Sequence, residues 1–245
     1  MIPFFRRIRK KMADDNRPFK YARYAIGEII LVVIGILIAL QINNWNQLNK
    51  TKEKECFYLS AMLESIGETQ KELKRVRDKS YLSAQACDTL FEILFNKHEI
   101  PFLTLDTIIQ SSVDFTILTP DMGIVSEIMN SGKLEIISNE FIRKTLSASE
   151  SRLSNINKYE VWATQIRYDY RSALLEYINR SNFIKEKSTI IEESRTEFFN
   201  DHLILDYVVS KGGANNFLHE LYANELVLID SLESVIIKEL KNCKK

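Results

Sequence analysis

Between Leu59 and Leu94, apolar positions recur at alternating steps of three and four residues. This is the narrow seam of a helix that packs in a coiled coil or bundle. The pattern predicts a helix from about Asn49 to Asn96, about 70 Å long at 1.5 Å per residue. Small side chains around Ser83 should let a neighbouring helix come closest at mid-length. The seam consists of Leu59, Met62, Ile66, Thr69, Leu73, Val76, Ser80, Ser83, Cys87, Leu90 and Leu94.

The rest of the chain predicts shorter helices separated by turns. His98–Pro101 ends the first helix, and a short helix is expected at Leu105–Ser112. Thr119-Pro120-Asp121 has the pattern of an N-cap followed by Pro at the first helical position, and Ser131-Gly132 would end that helix. Three further helices are then expected at about 139–180, 201–210 and 214–240, the last two divided by Gly212-Gly213.

These elements predict an all-α fold. An N-terminal transmembrane helix would be followed by an elongated antiparallel bundle of about four helices, because amphipathic helices can bury their seams only against each other. The chain holds only 7 Gly and 4 Pro in 245 residues, too few for the many turns of a β-sandwich or barrel. No repeat of fixed period is evident, which argues against a solenoid.

Residues 25–42 form an apolar run in which Glu28 and Gln41 are the only strongly polar side chains. Eighteen helical residues span about 27 Å, close to the hydrocarbon thickness of a bilayer. Tyr21, Tyr24 and Trp45 would lie in the two headgroup layers. A buried core helix and a cleaved signal peptide are the alternatives. The run is longer than an ordinary signal core and no small-x-small cleavage site follows it, which favours a retained signal anchor.

The formal net charge of zero conceals an asymmetry that sets the expected orientation. Residues 1–24 carry eight basic and two acidic side chains, a net charge of +6. The positive-inside rule therefore predicts a cytoplasmic tail at 1–24, a transmembrane anchor at 25–45 and an extracytoplasmic bundle domain at 46–245. No basic face follows that could track a phosphate backbone, so nucleic acid is not an expected partner. The side chains expected to anchor the tail at the lipid surface are Arg6, Arg7, Arg9, Lys10 and Lys11.

Four positions of the apolar run recur at steps of four and so share one helical stripe. They are Gly27, Leu31, Gly35 and Ala39. Gly35 and Ala39 form a small-xxx-small pair that would allow another membrane helix to approach closely. Glu28 lies about one turn inside the run. It would either sit at the interface without a function or help a second helix recognise this one.

Two stretches resemble a known family. They are FFRRIRKK with KYARYAIGEIILVVIGILIALQINNWN at residues 4–46, and MNSGKLEIISNEFIRKTL at 129–146. Both are similar to an uncharacterised family of bacterial single-pass membrane proteins, domain-of-unknown-function family 6090. The resemblance implies a location in the bacterial inner membrane. It implies no activity and brings no catalytic residues.

The three cysteines form no CxxC pair. Cys56 and Cys87 on one helix would lie about 46 Å apart, too far for a disulfide. Three unpaired, partly buried thiols are expected, with a bond between Cys56 residues of two chains as the alternative.

The sequence has no catalytic motif of a hydrolase or a zinc protease, and it has no nucleotide-binding loop. His202 and Asp206 share a helical face but have no third ligand at metal spacing, so we expect no metal, cofactor or catalytic residue. The predicted function is a membrane-anchored extracytoplasmic interaction or scaffold module. Its expected partners are the lipid bilayer and either further copies of the chain or another membrane protein. The alternative is a ligand-sensing bundle acting through a membrane partner; an enzyme is the least favoured class.

Overall fold

The predicted seam lies on one long helix, α1, Pro18–Asn96, in the computed structural model, which describes residues 18–98, 100–179 and 189–243. All eleven seam positions are buried. The periodic apolar positions predicted this face because a helix that packs on one side carries its apolar side chains on that side.

The described residues form six further helices and two short 3-10 helices. The helices are α2 Phe102–Val113, α3 Gly123–Asn130, α4 Glu140–Ser147, α5 Ser149–Leu174, α6 Arg195–Asn200 and α7 His202–Cys243. The 3-10 helices are Lys133–Ile136 and Glu192–Ser194. Over the described ranges there is no strand, and β-type pairing is limited to an isolated bridge between Ile178 and Ile190. The all-α class is confirmed.

The chain divides into two units, residues 1–54 and 55–245, with the boundary inside α1. In the first unit, the side chains of residues 29–50 are all exposed. The most apolar 18-residue window has a mean hydropathy of 2.6, and none of it is buried. The segment is therefore not a core helix buried among the described residues of this chain. By length and composition the segment can cross a membrane.

The second unit is a helical bundle in which α7 runs antiparallel to both α1 and α5. Along α1, Gln70 contacts Asp230 whereas Ser83 contacts Asn215, so the residue numbers run in opposite directions. The pairs between α5 and α7 show the same reversal, from Arg152 with Glu225 to Tyr170 with Tyr207. Three long helices with shorter ones packed around them thus form the antiparallel bundle that the sequence predicted.

The core has two clusters. One lies around Leu73, Ile128 and Tyr222 and joins α1, α3 and α7. The other lies around Leu90 and Tyr170 and includes side chains of α2 and α6. These clusters hold the helices together, since burying each large apolar side chain is worth about 1.5–3 kcal/mol.

The predicted helix at 139–180 is wrong as one element. Asn139 does cap its start, since Oδ1 of Asn139 accepts a hydrogen bond from the backbone N–H of Ile142 at 3.2 Å. The chain then breaks at Ala148, which ends α4 and precedes α5, and α5 ends at Leu174. The break lets α4 and α5 each turn an apolar face to the core, a tertiary requirement that the local pattern did not show.

The predicted Pro start of the next helix is also wrong. α3 begins at Gly123 rather than at Pro120, and the carboxylate of Asp121 accepts from the N–H of Gly123 at 3.1 Å. The carbonyl of Asp121 accepts from Ser65 on α1 at 2.9 Å, which holds this turn outside the helix. The helix end was predicted correctly, since Gly132 adopts the left-handed φ of 68°.

The expected division at Gly212-Gly213 is wrong, because α7 runs through both glycines. A Cβ at Gly212 would lie 3.1 Å from Cβ of Cys87. Gly212 therefore allows close approach of α7 to the small-residue part of the α1 seam, as the seam predicted. A pair of glycines can mark either the end of a helix or a close contact between helices, and the sequence alone does not distinguish the two.

The expectation of three unpaired thiols is wrong, as is the alternative bond between two chains. Cys56 and Cys243 form a disulfide within the chain, with Cα atoms 6.0 Å apart. Cys87 is free and buried. The pairing depends on α7 returning to the beginning of the bundle, which no local pattern shows.

Candidate functional site

The small-residue stripe of the first unit lies on helical backbone, so steps of four place its members on one face. Nothing lies within 4 Å of a Cβ built at Gly27 or Gly35. Leu31, between them, is 72% exposed. Together with Ala39, these positions form an exposed stripe along an apolar helix.

The other residues predicted at the membrane are described only in part. Trp45 is 66% exposed and Glu28 is partly exposed. Tyr21 and Tyr24 lie on α1, but their side chains are outside the description. The basic positions Arg6, Arg7, Arg9, Lys10 and Lys11 lie outside the described residues.

A buried polar cluster joins α1, α7 and the segment after α2. Nζ of Lys211 donates to Oδ1 of Asn215 at 2.8 Å and to the carbonyl of Asp114 at 3.2 Å. Nδ2 of Asn215 donates to Oγ of Ser83 at 2.8 Å, and Ser83 donates to the carbonyls of Ser112 and Asp114. The cluster fastens the backbone of residues 112–114 between the two helices.

Burial sets the protonation of this cluster. It lowers the pKa of Lys211 to about 8. The nearby Cys87 acts in the opposite direction and raises this pKa, whereas the positive charge of Arg167 lowers it further. Burial also raises the pKa of the Cys87 thiol to about 12. A thiol that keeps its proton is a poor nucleophile. Lys211 is fully buried, and its hydrogen bonds serve the packing of α7 against the segment after α2.

Sequence reasoning missed Lys211, since a lysine between Ser210 and Gly212 carries no local sign of burial. The burial of Lys211 is indicated instead by the residues of its hydrogen-bond network. Asn215 is four residues later on the same helical face, and Ser83 is on the small part of the α1 seam.

The bundle interior contains a small apolar cavity of about 50 Å³ among α1, α3, α5 and α7. Its walls include Met62, Val125 and Ile229. Nε of Arg152 lies 3.1 Å from both carboxylate oxygens of Glu225, and this pair lines part of the cavity. Ligand pockets for drug-sized molecules are about 300–1,000 Å³, so this cavity is too small to hold one.

A second pocket, of about 320 Å³, opens beside α2 and α5. Its lining mixes apolar side chains with one cation and two neutral polar groups. The lining residues are Ile109, Gln110, Val113, Arg171, Leu174, Ile178 and Thr189. Sequence reasoning did not single out any of these residues.

The predicted pair His202 and Asp206 lies on the first turns of α7. Among the described residues, no group of three or more His, Cys, Asp or Glu side chains could hold a metal ion. The ring of His219 lies 5.2 Å from the ring of Tyr81 at an angle of 39°. Its Nδ1 lies 3.2 Å from the carbonyl of Arg77, a contact between α7 and α1.

Comparison with known proteins gives one family. The model of DUF6090, a family of unknown function, matches residues 28–211. This range takes in most of the apolar run and the bundle as far as the buried lysine of α7. No curated protein and no solved structure matches the chain.

Proposed function

The chain belongs to DUF6090, a family of unknown function, and we propose that it is a membrane-anchored interaction module whose helical bundle lies outside the cytoplasm. One observation carries the proposal. An exposed apolar helical segment is followed along the chain by a bundle that a disulfide closes.

The exposed segment supports the membrane anchor. Its aliphatic side chains include Ile29 at 62% exposure and Ile38 at 55%. Leaving a large apolar side chain in water forgoes about 1.5–3 kcal/mol. A run of such side chains is stable in a bilayer and would aggregate without one.

The charges flanking this segment support the orientation. By the positive-inside rule, the net charge of +6 in residues 1–24 supports an N-terminus in the cytoplasm and a bundle domain in the periplasm of a bacterial cell. The basic side chains would also bind the anionic lipid of the inner leaflet.

The disulfide supports the same compartment. Disulfides persist in the periplasm and outside the cell, whereas cytosolic thiols are kept reduced. The bond between Cys56 and Cys243 belongs to the unit that the proposal places in the periplasm.

The stripe of Gly27, Leu31, Gly35 and Ala39 supports partner binding in the membrane. Helices in lipid associate by close van der Waals packing, which small side chains permit. The partner is a second membrane helix, from another copy of the chain or another protein. Glu28 lies beside the stripe, where a polar contact would select the partner.

Two features of the bundle core support a structural role for that core. The cavity of about 50 Å³ has no room for a substrate. The buried cluster around Lys211 has its hydrogen bonds directed at backbone and Asn215. The cluster holds α1, α7 and residues 112–114 together, as expected of a rigid domain.

Reporter fusions test the membrane topology. Alkaline phosphatase, which becomes active only where its disulfides form, is fused to the C-terminus or the N-terminus of the full chain. We expect activity from the C-terminal fusion alone. Replacing Arg6, Arg7, Arg9, Lys10 and Lys11 by Glu should lower that activity. Activity from the N-terminal fusion, or equal activity from both, would overturn the proposed orientation.

A further inference from the structure

The pocket of about 320 Å³ beside α2 and α5 has an apolar floor. Ile109 on α2 is 3% exposed and Leu174 on α5 is 1% exposed, and both belong to the second core cluster. Val113 and Ile178 pack against the same cluster. The floor is therefore built on the core of the bundle and is fixed in place.

Hydrogen bonds fix the edge of the pocket near Thr189. Its backbone N–H donates to Asp106 at 2.8 Å and its hydroxyl donates to Asp106 at 2.7 Å. The carbonyl of Thr189 accepts from the N–H of Asn179 at 2.6 Å. Each oxygen of the buried Asp106 thus accepts a hydrogen bond from Thr189, which holds Thr189 in place.

Arg171 supplies a positive charge at the pocket that no described residue neutralises. It is partly buried on α5, and within the described part of the chain it makes no hydrogen bond and no ion pair. Arg167, one turn earlier, differs. Its Nε donates to the carbonyl of Val113 at 3.0 Å, and its guanidinium lies over the ring of Phe115. Arg167 is thus a packing residue, whereas Arg171 has donors left for a ligand.

We propose that this pocket binds a small organic carboxylate with an apolar body. The guanidinium of Arg171 presents paired N–H donors that match a carboxylate, and such charge-assisted bonds are about twice as strong as neutral ones. The side-chain amide of Gln110 lines the same pocket and is exposed. Ile109 and Leu174 bind the apolar body. The volume accommodates a ligand at the small end of the known range.

This inference concerns the bundle alone and does not depend on the proposed membrane association. The module would then bind a small carboxylate in addition to its partner. A ligand seated here would contact α2 and α5 together and would stabilise their packing.

Titration calorimetry of the full chain in lipid nanodiscs tests the inference, with hexanoate as the probe and empty nanodiscs as the blank. We expect saturable binding. Hexanamide, which has the same shape without the charge, should bind at least about ten-fold more weakly, because a charged hydrogen bond is worth about 1.5–3 kcal/mol. This comparison needs no variant protein.

Variants then assign the site. Arg171→Gln should raise the Kd for hexanoate about ten-fold or more, while Arg171→Lys should retain part of the affinity. Val113→Phe, which fills the pocket, should abolish binding. Lys158→Gln removes the same charge from an exposed position on α5 and should leave the Kd unchanged. Absence of saturable binding to the wild type would overturn the proposal, as would equal Kd values for hexanoate and hexanamide or for wild type and Arg171→Gln.

Discussion

Cys56 near the start of the bundle and Cys243 at the end of α7 are joined by a disulfide across a sequence separation of 187 residues. The bond closes nearly the whole domain into one loop. A cross-link of this kind removes conformational freedom from the unfolded chain, and more so for a longer loop.

We therefore expect the double variant Cys56→Ser, Cys243→Ser to lose about 2–5 kcal/mol of unfolding free energy. Urea unfolding followed by circular dichroism measures it. Reduced wild type should match the variant, and reductant should not affect the variant. Identical midpoints for oxidised wild type and the variant would show that the bond adds no stability.

The neighbouring glycines of α7 should respond oppositely to alanine. A Cβ at Gly212 would lie 3.1 Å from Cβ of Cys87, an atom fixed to α1, whereas a Cβ at Gly213 meets nothing within 4 Å. Gly212→Ala should destabilise the domain by about 1 kcal/mol, as overpacking exceeds the gain in helix propensity. Gly213→Ala should stabilise it by up to about 1 kcal/mol. Thermal or urea unfolding measures both, and stabilisation by Gly212→Ala would contradict the close contact of α7 with α1.

These glycines also show what the sequence could and could not predict. The seam from Leu59 to Leu94 was predictable because burial of one helical face imposes a period on the sequence. The end of α3 at Gly132 was predictable because a left-handed residue favours glycine. The continuity of α7 through Gly212, the break at Ala148 and the disulfide depend on contacts between distant segments. The local sequence pattern does not predict those contacts.

The candidate sites divide in the same way. The stripe of Gly27, Gly35 and Ala39 could be identified in the sequence, because steps of four place residues on one face of a helix. Arg171 and Lys211 were not, since each looks like a solvent-exposed basic side chain on an amphipathic helix. Only the packing of α5 against α2 and of α7 against α1 distinguishes them.

Lys211 should make the stability depend on pH. Burial lowers its pKa to about 8, while an unfolded lysine titrates near 10.4. Below about pH 8 both states hold the proton and folding bears the full cost of burying the charge. As pH rises from about 8 to 10.4 the folded state releases the proton first, so this cost is lost and stability increases.

Lys211→Met removes that dependence. The unfolding free energy of wild type minus that of the variant should rise by about 1–2 kcal/mol between pH 8 and 10. Lys238→Met, on the exposed side of α7, serves as the control and should give a difference that does not change with pH. A flat difference for Lys211→Met would mean that the buried amine does not titrate in this range.

The proposed association of the membrane helix is tested most directly by native mass spectrometry of the full-length protein, purified from its own membranes in mild detergent. We expect an assembly of fixed stoichiometry, either a homo-oligomer or a complex with a second membrane protein. Gly35→Leu with Ala39→Leu should dissociate it without unfolding the bundle. Val33→Phe with Leu37→Phe, which adds bulk to the opposite face of the helix, should leave it intact. A monomeric wild type, or an assembly that survives the Gly35 and Ala39 substitutions, would contradict the proposed association of the membrane helix.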